Sequence, residues 1–567
     1  MVKTYTFKKQ KIHTTFLLLL FLIAKIHSQI KPNILYIMSD DHTTTAIGAY
    51  GGRLASLNPT PTLDKIAAEG MVLENTFCNN AICSPSRATI LTGQYSAING
   101  VTSLGGKIDK KRQYLPIEMR NAGYQTGVIG KWHLGILPLA FDYYKVMHSQ
   151  GHYFNPIFTE KDKPIKDFDL GKKSEKGSVQ MMGHSSDMIA NSGIDWLQKR
   201  DKQKPFFLKL HFKAPHGNYD YAPRYEDYLA DVTIPEPDNL RNRKNNGSIA
   251  TRGHNDELIH RIGSSVSSRN TERYNSQVHK GTVLAGKKTS TSQNYQRFLK
   301  KYLRCVKGVD DNIARVVAHL KKEGTYDNTI IIYTSDQGYY LGEHDFFDKR
   351  WAYEEGMRMP FIIRYPKTIK KGSRNKATIE NVDFAPTLID FAGGTIPSVM
   401  QGNSFKSIVE TGKTPKKWEN AAYYHYPLHM AHHKIPAHIG IRTEHFKLLL
   451  FYGTLEKKDI PDTPPGWELY DLKKDPTEDN NVYDHPAYQK VVAALKVKLK
   501  KLRTKYKVNG PEFPYNKVID EYWDYSEEDK AKAVLISHKF LKSDLYTAKE
   551  KMLKKQKGKK SKKRPNN

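Results

Sequence analysis

Cysteine is scarce in this chain, since only Cys78, Cys83 and Cys305 occur among its 567 residues. If one of the three is modified, the other two could form at most one disulfide. A disulfide framework is therefore excluded, and stability must come from a buried core, which a chain of this length can supply. We find no internal repeat, and the N-terminal apolar run from Phe16 to Ala24 is too short to span a bilayer comfortably.

That apolar run belongs to a targeting pattern. Lysines precede it, and a short polar stretch that ends at Ser28-Gln29 follows it. This order is typical of a secretory signal peptide with cleavage near Ser28, and an uncleaved anchor is the weaker alternative. We therefore predict export of the mature protein, to the periplasm or out of the cell, without a membrane span.

Acidic residues are also fewer than basic ones. The chain has 59 Asp and Glu but 90 Lys and Arg, which gives a formal net charge of +31. Such an excess predicts attraction to polyanions, whether nucleic acid, an anionic membrane or a sulfated polymer. Part of the excess is local, since no acidic residue follows Glu550 in the tail from Lys551 to Asn567. A run of this kind is more typical of a solvated tail than of a binding site.

Strand and helix patterns alternate over the first two thirds of the chain. The apolar run Ile34 to Met38 predicts a buried strand that delivers Asp40 and Asp41 at its C-terminal end. Further strands are predicted at 71–77, 125–129, 205–211 and 329–334, and helices at 60–69, 187–200 and 294–323. The alternation indicates an α/β protein with a largely parallel sheet, whose carboxyl edge is the usual place for a ligand.

The pattern changes at three places, which suggests a division of the chain. Between residues 235 and 293 a polar stretch predicts either an insertion over the active face, a mobile loop or a solvated excursion. After about residue 400, short aromatic and β-branched runs predict a smaller α+β subdomain with an antiparallel sheet and a basic helix at 487–506. We predict a signal peptide at 1–28, a catalytic domain at 29–400, a C-terminal subdomain at 401–510, and a helical extension with a basic tail at 511–567.

The segment from Cys83 to Gly93 carries the most information about function. Pro85 presets the backbone for a first helical turn, which Ser84 or Ser86 could cap. The thiol of Cys83 would then lie beside the guanidinium of Arg87 at the N-terminus of a helix, where negative charge is favoured. This arrangement suits chemistry on an anion.

These residues follow the pattern C-x-P-S-R-x-x-x-L-T-G, which resembles the signature of the type I sulfatases in the alkaline phosphatase superfamily, in particular the bacterial carbohydrate sulfatases. In that family the cysteine is oxidised to formylglycine by a formylglycine-generating or sulfatase-maturing enzyme. Segments around Lys131, His216 and Lys349 match later parts of the family, and the resemblance covers roughly residues 31–505. It implies an alkaline-phosphatase-like fold, with a mostly parallel central sheet flanked by helices and a smaller C-terminal subdomain.

The two acidic clusters at strand ends predict a metal site. Asp40, Asp41, Asp336 and Gln337 are hard oxygen donors, the ligand set of calcium or magnesium and too poor in nitrogen and sulfur for zinc. The resemblance adds that such a quartet holds one calcium ion against the modified Cys83 and the sulfate of the substrate. Many members of the family have Asn where this chain has Gln337.

The resemblance also implies how the charges are used. A sulfate ester repels nucleophiles through its own oxygens, and the metal with Arg87, Lys131 and Lys349 would neutralise them. The hydrated formylglycine from Cys83 would attack with help from Asp336.

Two histidines complete the mechanism that the resemblance implies. His216 would protonate the departing alcohol, and His133 would accept the proton whose loss expels the sulfate and restores the aldehyde.

The segment from Tyr423 onwards resembles the subsite-forming region of carbohydrate sulfatases, although its histidines could equally serve packing. The residues concerned are His425, His429, His432, His433, His438 and Arg442. We predict a sulfated polysaccharide as substrate, with algal polymers such as ulvan or carrageenan favoured and glycosaminoglycan or mucin sulfate next, and no nucleic-acid partner. The alternatives are a phosphate or phosphonate ester hydrolase of the same superfamily and a secreted protein that binds polyanions without catalysis.

Overall fold

A computed structural model describes residues 31–161, 178–241, 246–259, 261–267, 278–279, 282–284, 289–431, 433–454 and 460–543. The predicted signal peptide, the basic tail and His432 lie outside the described residues. Among the residues described, no helix is both long enough and apolar enough to cross a membrane.

The strands, in chain order, are β1 (Asn33–Asp40), β2 (Met71–Phe77), β3 (Gln125–Lys131), β4 (Tyr143–Met147), β5 (Ile157–Glu160), β6 (Ser178–Gln180), β7 (Phe206–Pro215), β8 (Thr329–Ser335), β9 (Tyr340–Leu341), β10 (Phe347–Asp348), β11 (Arg358–Met359), β12 (Phe361–Arg364), β13 (Ser373–Glu380), β14 (Ala421–Tyr426), β15 (His438–Thr443), β16 (Phe446–Phe451) and β17 (Gly466–Asp471).

The α-helices are α1 (Pro61–Ala68), α2 (Cys83–Thr92), α3 (Ser96–Asn99), α4 (Tyr114–Asn121), α5 (Ser185–Lys199), α6 (Ile249–Arg252), α7 (Thr291–Lys322), α8 (Glu354–Met357), α9 (Phe384–Phe391), α10 (Lys406–Thr411), α11 (Gln489–Lys505), α12 (Tyr515–Glu521) and α13 (Glu527–Lys542).

A large sheet with the order β11-β2-β12-β8-β1-β7-β3-β4-β5-β6, in which β13 also pairs with β2, forms the centre of the described structure. Strands β8, β1, β7, β3 and β4 run parallel to one another, whereas β12 pairs antiparallel with β8, β5 with β4, and β6 with β5. Every residue of β1 is buried, as expected for a strand covered on both faces. The predicted mostly parallel sheet flanked by helices is confirmed.

Strands β14 to β17 form a separate antiparallel sheet in sequence order, which confirms the predicted C-terminal α+β part. Helix α11 covers this sheet with Leu495, Leu499 and Leu502, which are buried. The division of the chain at residues 400 and 510 stays a prediction.

Described parts of the polar stretch 235–293 pack against the protein rather than projecting into solvent. Ser265 and Ser267 both donate hydrogen bonds of 2.6 Å to the carboxylate of Asp345. At its other end, the hydroxyl of Ser248 donates to Glu468 at 2.9 Å. These contacts argue against a solvated excursion for the described parts of the stretch, and an insertion over the active face stays a prediction.

Candidate active site

The two predicted acidic clusters meet at the carboxyl edge of the central sheet. Strands β1 and β8 are parallel neighbours, with Ser39 opposite Ser335, so the residues that follow each strand lie side by side. Carboxylate oxygens of Asp40, Asp41 and Asp336 lie within 4.8 Å of one another. The backbone N–H of Asp41 donates to Asp336 Oδ1 at 3.2 Å, which ties the clusters together.

The side chains present fit the predicted calcium ion. Besides the three carboxylates, Gln337 is fully buried, and its amide Nε2 donates to Asp41 Oδ1. No described residue donates a hydrogen bond to its Oε1, although buried carbonyl oxygens are normally paired. An unpaired amide oxygen beside three carboxylates is the donor set of a hard divalent cation.

Cys83 is the first residue of helix α2, as predicted, and is completely buried. The predicted caps are wrong, because Ile82 is the N-cap residue and no side chain caps the helix. The hydroxyl of Ser84 instead donates to the carbonyl of His133 at 2.8 Å, and that of Ser86 donates to the carbonyl of Asp336. Both serines therefore hold the helix start against the catalytic loops.

Three cationic side chains surround the thiol, as the sequence predicted. Lys349 Nζ lies 3.1 Å from Cys83 Sγ and also contacts Asp41 Oδ1. Lys131 Nζ lies 4.0 Å from the same sulfur and contacts Asp40 Oδ2.

Arg87 completes this cationic group from the same helix as Cys83. Its Nε donates to Asp336 Oδ2 at 3.0 Å, and its Nη1 donates to the carbonyl of Lys131 at 2.8 Å. The guanidinium therefore links the acidic edge of the sheet to strand β3.

Both predicted catalytic histidines lie near these groups. His216 Nε2 is 3.7 Å from Asp41 Oδ2, and its Nδ1 is 2.7 Å from the carbonyl of Gly217. His133 has a positive φ of 57°, and its buried Nδ1 has no hydrogen-bond partner in the part of the chain that the structure describes. Burial lowers the pKa of both rings well below the ordinary value, and the positive charge of Lys131 acts in the same direction.

The two adjacent carboxyl groups are affected differently by their surroundings. Burial raises the pKa of Asp41 to about 7, although the Lys349 charge opposes the rise. Burial also tends to raise the pKa of Asp40, but the charges of Lys131 and other nearby cations outweigh it and hold that pKa well below its usual range. Burial together with Asp40 raises the pKa of the Cys83 thiol to about 12.

A cavity of about 190 Å³ opens above the thiol. Besides Asp41, Cys83, His216 and Lys349, the cavity is lined by side chains that the sequence analysis did not select as site residues. They are Leu104, Gln150, Tyr219, Tyr339, Phe347, Asp348 and Arg350, and His433 of the predicted subsite region lines the cavity with them.

Two of the cavity residues had a signal in the sequence. Asp348 and Arg350 flank Lys349, and the guanidinium of Arg350 pairs with the carboxylate of Asp348. His433 Nε2 lies 3.5 Å from Asp348 Oδ1, although this histidine is distant in sequence. The charged residues next to Lys349 in the sequence could therefore have been predicted as cavity residues. The position of His433 beside Asp348, in contrast, depends on the fold.

The structure corrects the predicted substrate subsite at His425, His438 and Arg442, none of which lines the cavity. His425 is buried, with its Nε2 3.0 Å from the hydroxyl of Tyr452. His438 is fully buried and stacks on Tyr424.

Arg442 is likewise not among the residues that line the cavity. Its Nε donates to Glu354 Oε1 at 3.2 Å in a buried ion pair. His425 and His438 thus serve packing, the alternative that the sequence left open, whereas His433 of the same region lines the cavity.

Comparisons with known proteins agree with this geometry. The family described as Sulfatase matches residues 32–394, and the one described as N-sulphoglucosamine sulphohydrolase, C-terminal, matches residues 342–505. An N-acetylglucosamine-6-O-sulfatase of Bacteroides thetaiotaomicron is 40% identical over 85% of this chain and 88% of its own length. An arylsulfatase of Clostridium perfringens is 27% identical over 83% of this chain and 94% of its own.

A solved structure shows the same fold. It shows another protein in complex with that protein's own substrate, D-glucosamine-2-N,6-O-disulfate, and it aligns with this chain with a TM-score of 0.71 at 39% identity. The alignment covers 85% of this chain and 99% of the solved one.

Proposed function

The chain belongs to the sulfatase family, whose members hydrolyse sulfuric esters, and on this premise we propose that it removes the 6-O-sulfate of glucosamine or N-acetylglucosamine units in a sulfated carbohydrate. The support for this substrate is the activity for which the 40% identical relative is named and the sugar bound in the similar structure. It favours glycosaminoglycan or mucin sulfate over the algal polymers that the sequence analysis ranked first.

The position of Cys83 carries the proposal. Its sulfur lies at the base of the cavity, 3.1 Å from Lys349 Nζ and 3.3 Å from Asp40 Oδ1. A formylglycine-generating or sulfatase-maturing enzyme would replace this sulfur by an aldehyde oxygen. The hydrate of that aldehyde supplies the nucleophilic hydroxyl.

The neighbouring residues hold the ester and move its protons. Asp40, Asp41, Asp336 and Gln337 would hold a calcium ion, which supplies positive charge next to the sulfate oxygens. Lys131, Lys349 and Arg87 would neutralise the remaining charge of the sulfate, since the three cationic groups are fixed on separate elements around Cys83.

The histidines act on the two sides of the reaction. His216 lines the cavity and would donate a proton to the departing sugar oxygen. His133, with an unpaired buried Nδ1, would accept the proton released when sulfate is expelled. Across the cavity, the charged pair of Asp348 and Arg350 offers an acceptor and donors to the hydroxyl groups of a sugar.

The test is the release of inorganic sulfate, measured by ion chromatography, from the protein co-expressed with a sulfatase-maturing enzyme. We expect release from N-acetylglucosamine 6-sulfate, less from galactose 6-sulfate and from ulvan or carrageenan oligosaccharides, and none by the Cys83→Ala variant. Mass spectrometry of the Cys83 peptide should show a loss of about 18 Da, which differs from the mass gains of ordinary cysteine oxidation. Modified protein that leaves N-acetylglucosamine 6-sulfate intact, or that cleaves p-nitrophenyl phosphate faster, contradicts the proposal.

We also propose that the protein acts outside the cytoplasm, because the first 28 residues have the order of charged, apolar and polar segments found in signal peptides. N-terminal sequencing of the protein recovered from the periplasm or medium checks this; a start at Met1 contradicts it.

A further inference from the structure

Helix α11 carries basic residues without any acidic residue over its 17 positions. Two of them point inwards, since Lys496 Nζ contacts the Trp523 carbonyl at 2.5 Å and Arg503 pairs with Asn516 at 2.8 Å. The other five are Lys490, Lys498, Lys500, Lys501 and Lys505, and they lie on the side that the C-terminal sheet leaves uncovered.

Two lysines of the loop before β14 extend this surface. Glu419 accepts ion pairs from Lys498 at 3.1 Å and from Lys505 at 3.9 Å. Lys416 and Lys417, both exposed, stand three and two residues before Glu419 in the chain, so their backbone lies within about 11 Å of the residue that pairs with α11. We call the seven lysines 416, 417, 490, 498, 500, 501 and 505 the basic face.

The charge of the basic face is largely uncompensated. Within the described part of the chain, no carboxylate lies within 4.0 Å of the amines of Lys416, Lys417, Lys490, Lys500 or Lys501. From Lys490 to Lys505 the helix rises about 22 Å, so the positive charge extends over a length greater than one sugar unit.

The basic face is separate from the active site. The ring of Tyr506, directly after α11, packs on Tyr95 with 4.2 Å between ring centroids. Tyr95 follows the C-terminal end of α2, whereas Cys83 begins that helix. The ten residues of α2 span about 15 Å, so a single sugar in the cavity does not reach the basic face.

We propose that the basic face binds a sulfated polysaccharide chain at a second site, away from the residue being desulfated. This inference rests on the proposed function, which makes a sulfated carbohydrate the substrate. A membrane fits less well, because the apolar side of α11 is buried against the C-terminal sheet. Single-stranded nucleic acid fits less well too, since the exposed positions between the lysines of α11 are Ala493, Ala494, Val497 and Thr504 rather than aromatic residues.

The experiment compares two triple variants of the full-length protein with equal loss of charge. Lys498→Ala/Lys501→Ala/Lys505→Ala removes the centre of the basic face, and Lys370→Ala/Lys371→Ala/Lys376→Ala removes three exposed lysines of another surface. Binding to immobilised heparin is measured at about 0.1 M NaCl, together with sulfate release from N-acetylglucosamine 6-sulfate. Hyaluronan, duplex DNA and vesicles of anionic lipid serve as unsulfated competitors.

We expect the first variant to bind heparin about tenfold more weakly, since each exposed ion pair contributes modestly and three are lost. The second variant should bind as the wild type does, and both should release sulfate from the monosaccharide at the wild-type rate. Equal heparin affinity of the two triple variants overturns the proposal, as does DNA, hyaluronan or vesicle binding that is tighter than heparin binding and lost in the same variant. If heparin binding behaves as expected while no protein releases sulfate, the proposed function fails and the binding site stands.

Discussion

The ion-pair network that joins the C-terminal sheet to the active-site segment offers the sharpest test of the structure. Lys447, on β16, is fully buried, and its amine lies 3.0 Å from Glu354 Oε1 and 2.8 Å from Glu478 Oε1. Glu354 also pairs with Arg442 and begins helix α8, five residues after Lys349. We predict that Lys447→Met destabilises the fold strongly.

The magnitude follows from which carboxylate loses its partner. Glu354 keeps Arg442, whereas the only partner that Glu478 keeps among the described residues is a backbone donor, the N–H of Glu354 at 2.6 Å. Removing one partner from a buried ion pair costs about 3–5 kcal/mol, since the other charge stays buried. We expect a loss of this size in the free energy of unfolding near neutral pH.

The pH dependence gives the prediction a second, independent readout. Burial raises the pKa of Glu478 to about 7, although Lys447 opposes the rise. The folded chain therefore holds more protons than the unfolded chain between the ordinary pKa of glutamate and about 7, and stability falls as pH rises through this range. Without Lys447 the pKa of Glu478 in the folded chain lies higher still. The stability of the variant therefore continues to fall above pH 7, and the difference in free energy of unfolding between the variant and the wild type widens.

Urea unfolding followed by circular dichroism, at about pH 5.5, about pH 7 and about pH 8.5, measures both the loss near neutral pH and its change with pH. Lys199→Met is the matched control, since Lys199 makes only an exposed pair with Asp195. The double variant Lys447→Met/Glu478→Gln should recover much of the loss, because both charges are then removed. A loss below about 1 kcal/mol near neutral pH, or a gap that does not change with pH, would refute the reasoning.

Three further predictions concern the metal site, the leaving group and a helix end. Calcium should raise the melting temperature of the wild type but much less that of Gln337→Ala, because the buried Oε1 is a proposed ligand; equal shifts in a calorimetric scan contradict this. His216→Asn should lower kcat on N-acetylglucosamine 6-sulfate by about 10²–10⁴, and far less on p-nitrophenyl sulfate, whose leaving group needs no proton; equal losses on the two substrates argue against a proton donor. Asp310 accepts the N–H groups of Thr62 and Leu63 at 3.0 Å each, at the start of α1, and burial raises its pKa to about 6. The free energy of unfolding of Asp310→Asn should therefore be lower than that of the wild type by about 1–3 kcal/mol near pH 4. This difference should narrow towards pH 7, because only the wild type must ionise a buried group as pH rises. A difference that widens with pH in urea unfolding is inconsistent with this.

Much of the site could be predicted from sequence because its residues follow strand ends and helix starts with local signals. Asp40 and Asp41 come after an unbroken apolar strand, and Asp336 and Gln337 come after another. A parallel pair of such strands brings both clusters to one edge. Cys83 stands two residues before a proline that favours a helix start, and it begins α2.

The prediction of the substrate subsite was wrong because the side chains concerned could face either the cavity or the packed core. His425, His438 and Arg442 lie on β14 and β15 of a sheet that is buried on both faces, so neither alternation nor residue type told the cavity from the core. Arg442 pairs with Glu354, a residue 88 positions away in the chain, which the local sequence did not indicate.

The sequence by itself determined the chemistry of this protein: a thiol at a helix start, hard oxygen donors at two strand ends, and cations spaced along matching segments. Only the tertiary structure decided which residues face the sugar, because the cavity wall is assembled from distant segments such as Gln150, Asp348 and His433. Local patterns fix what a residue can do through its side-chain chemistry and backbone preference. Its neighbours across the cavity depend on how the packed elements are placed, which no short stretch of chain encodes.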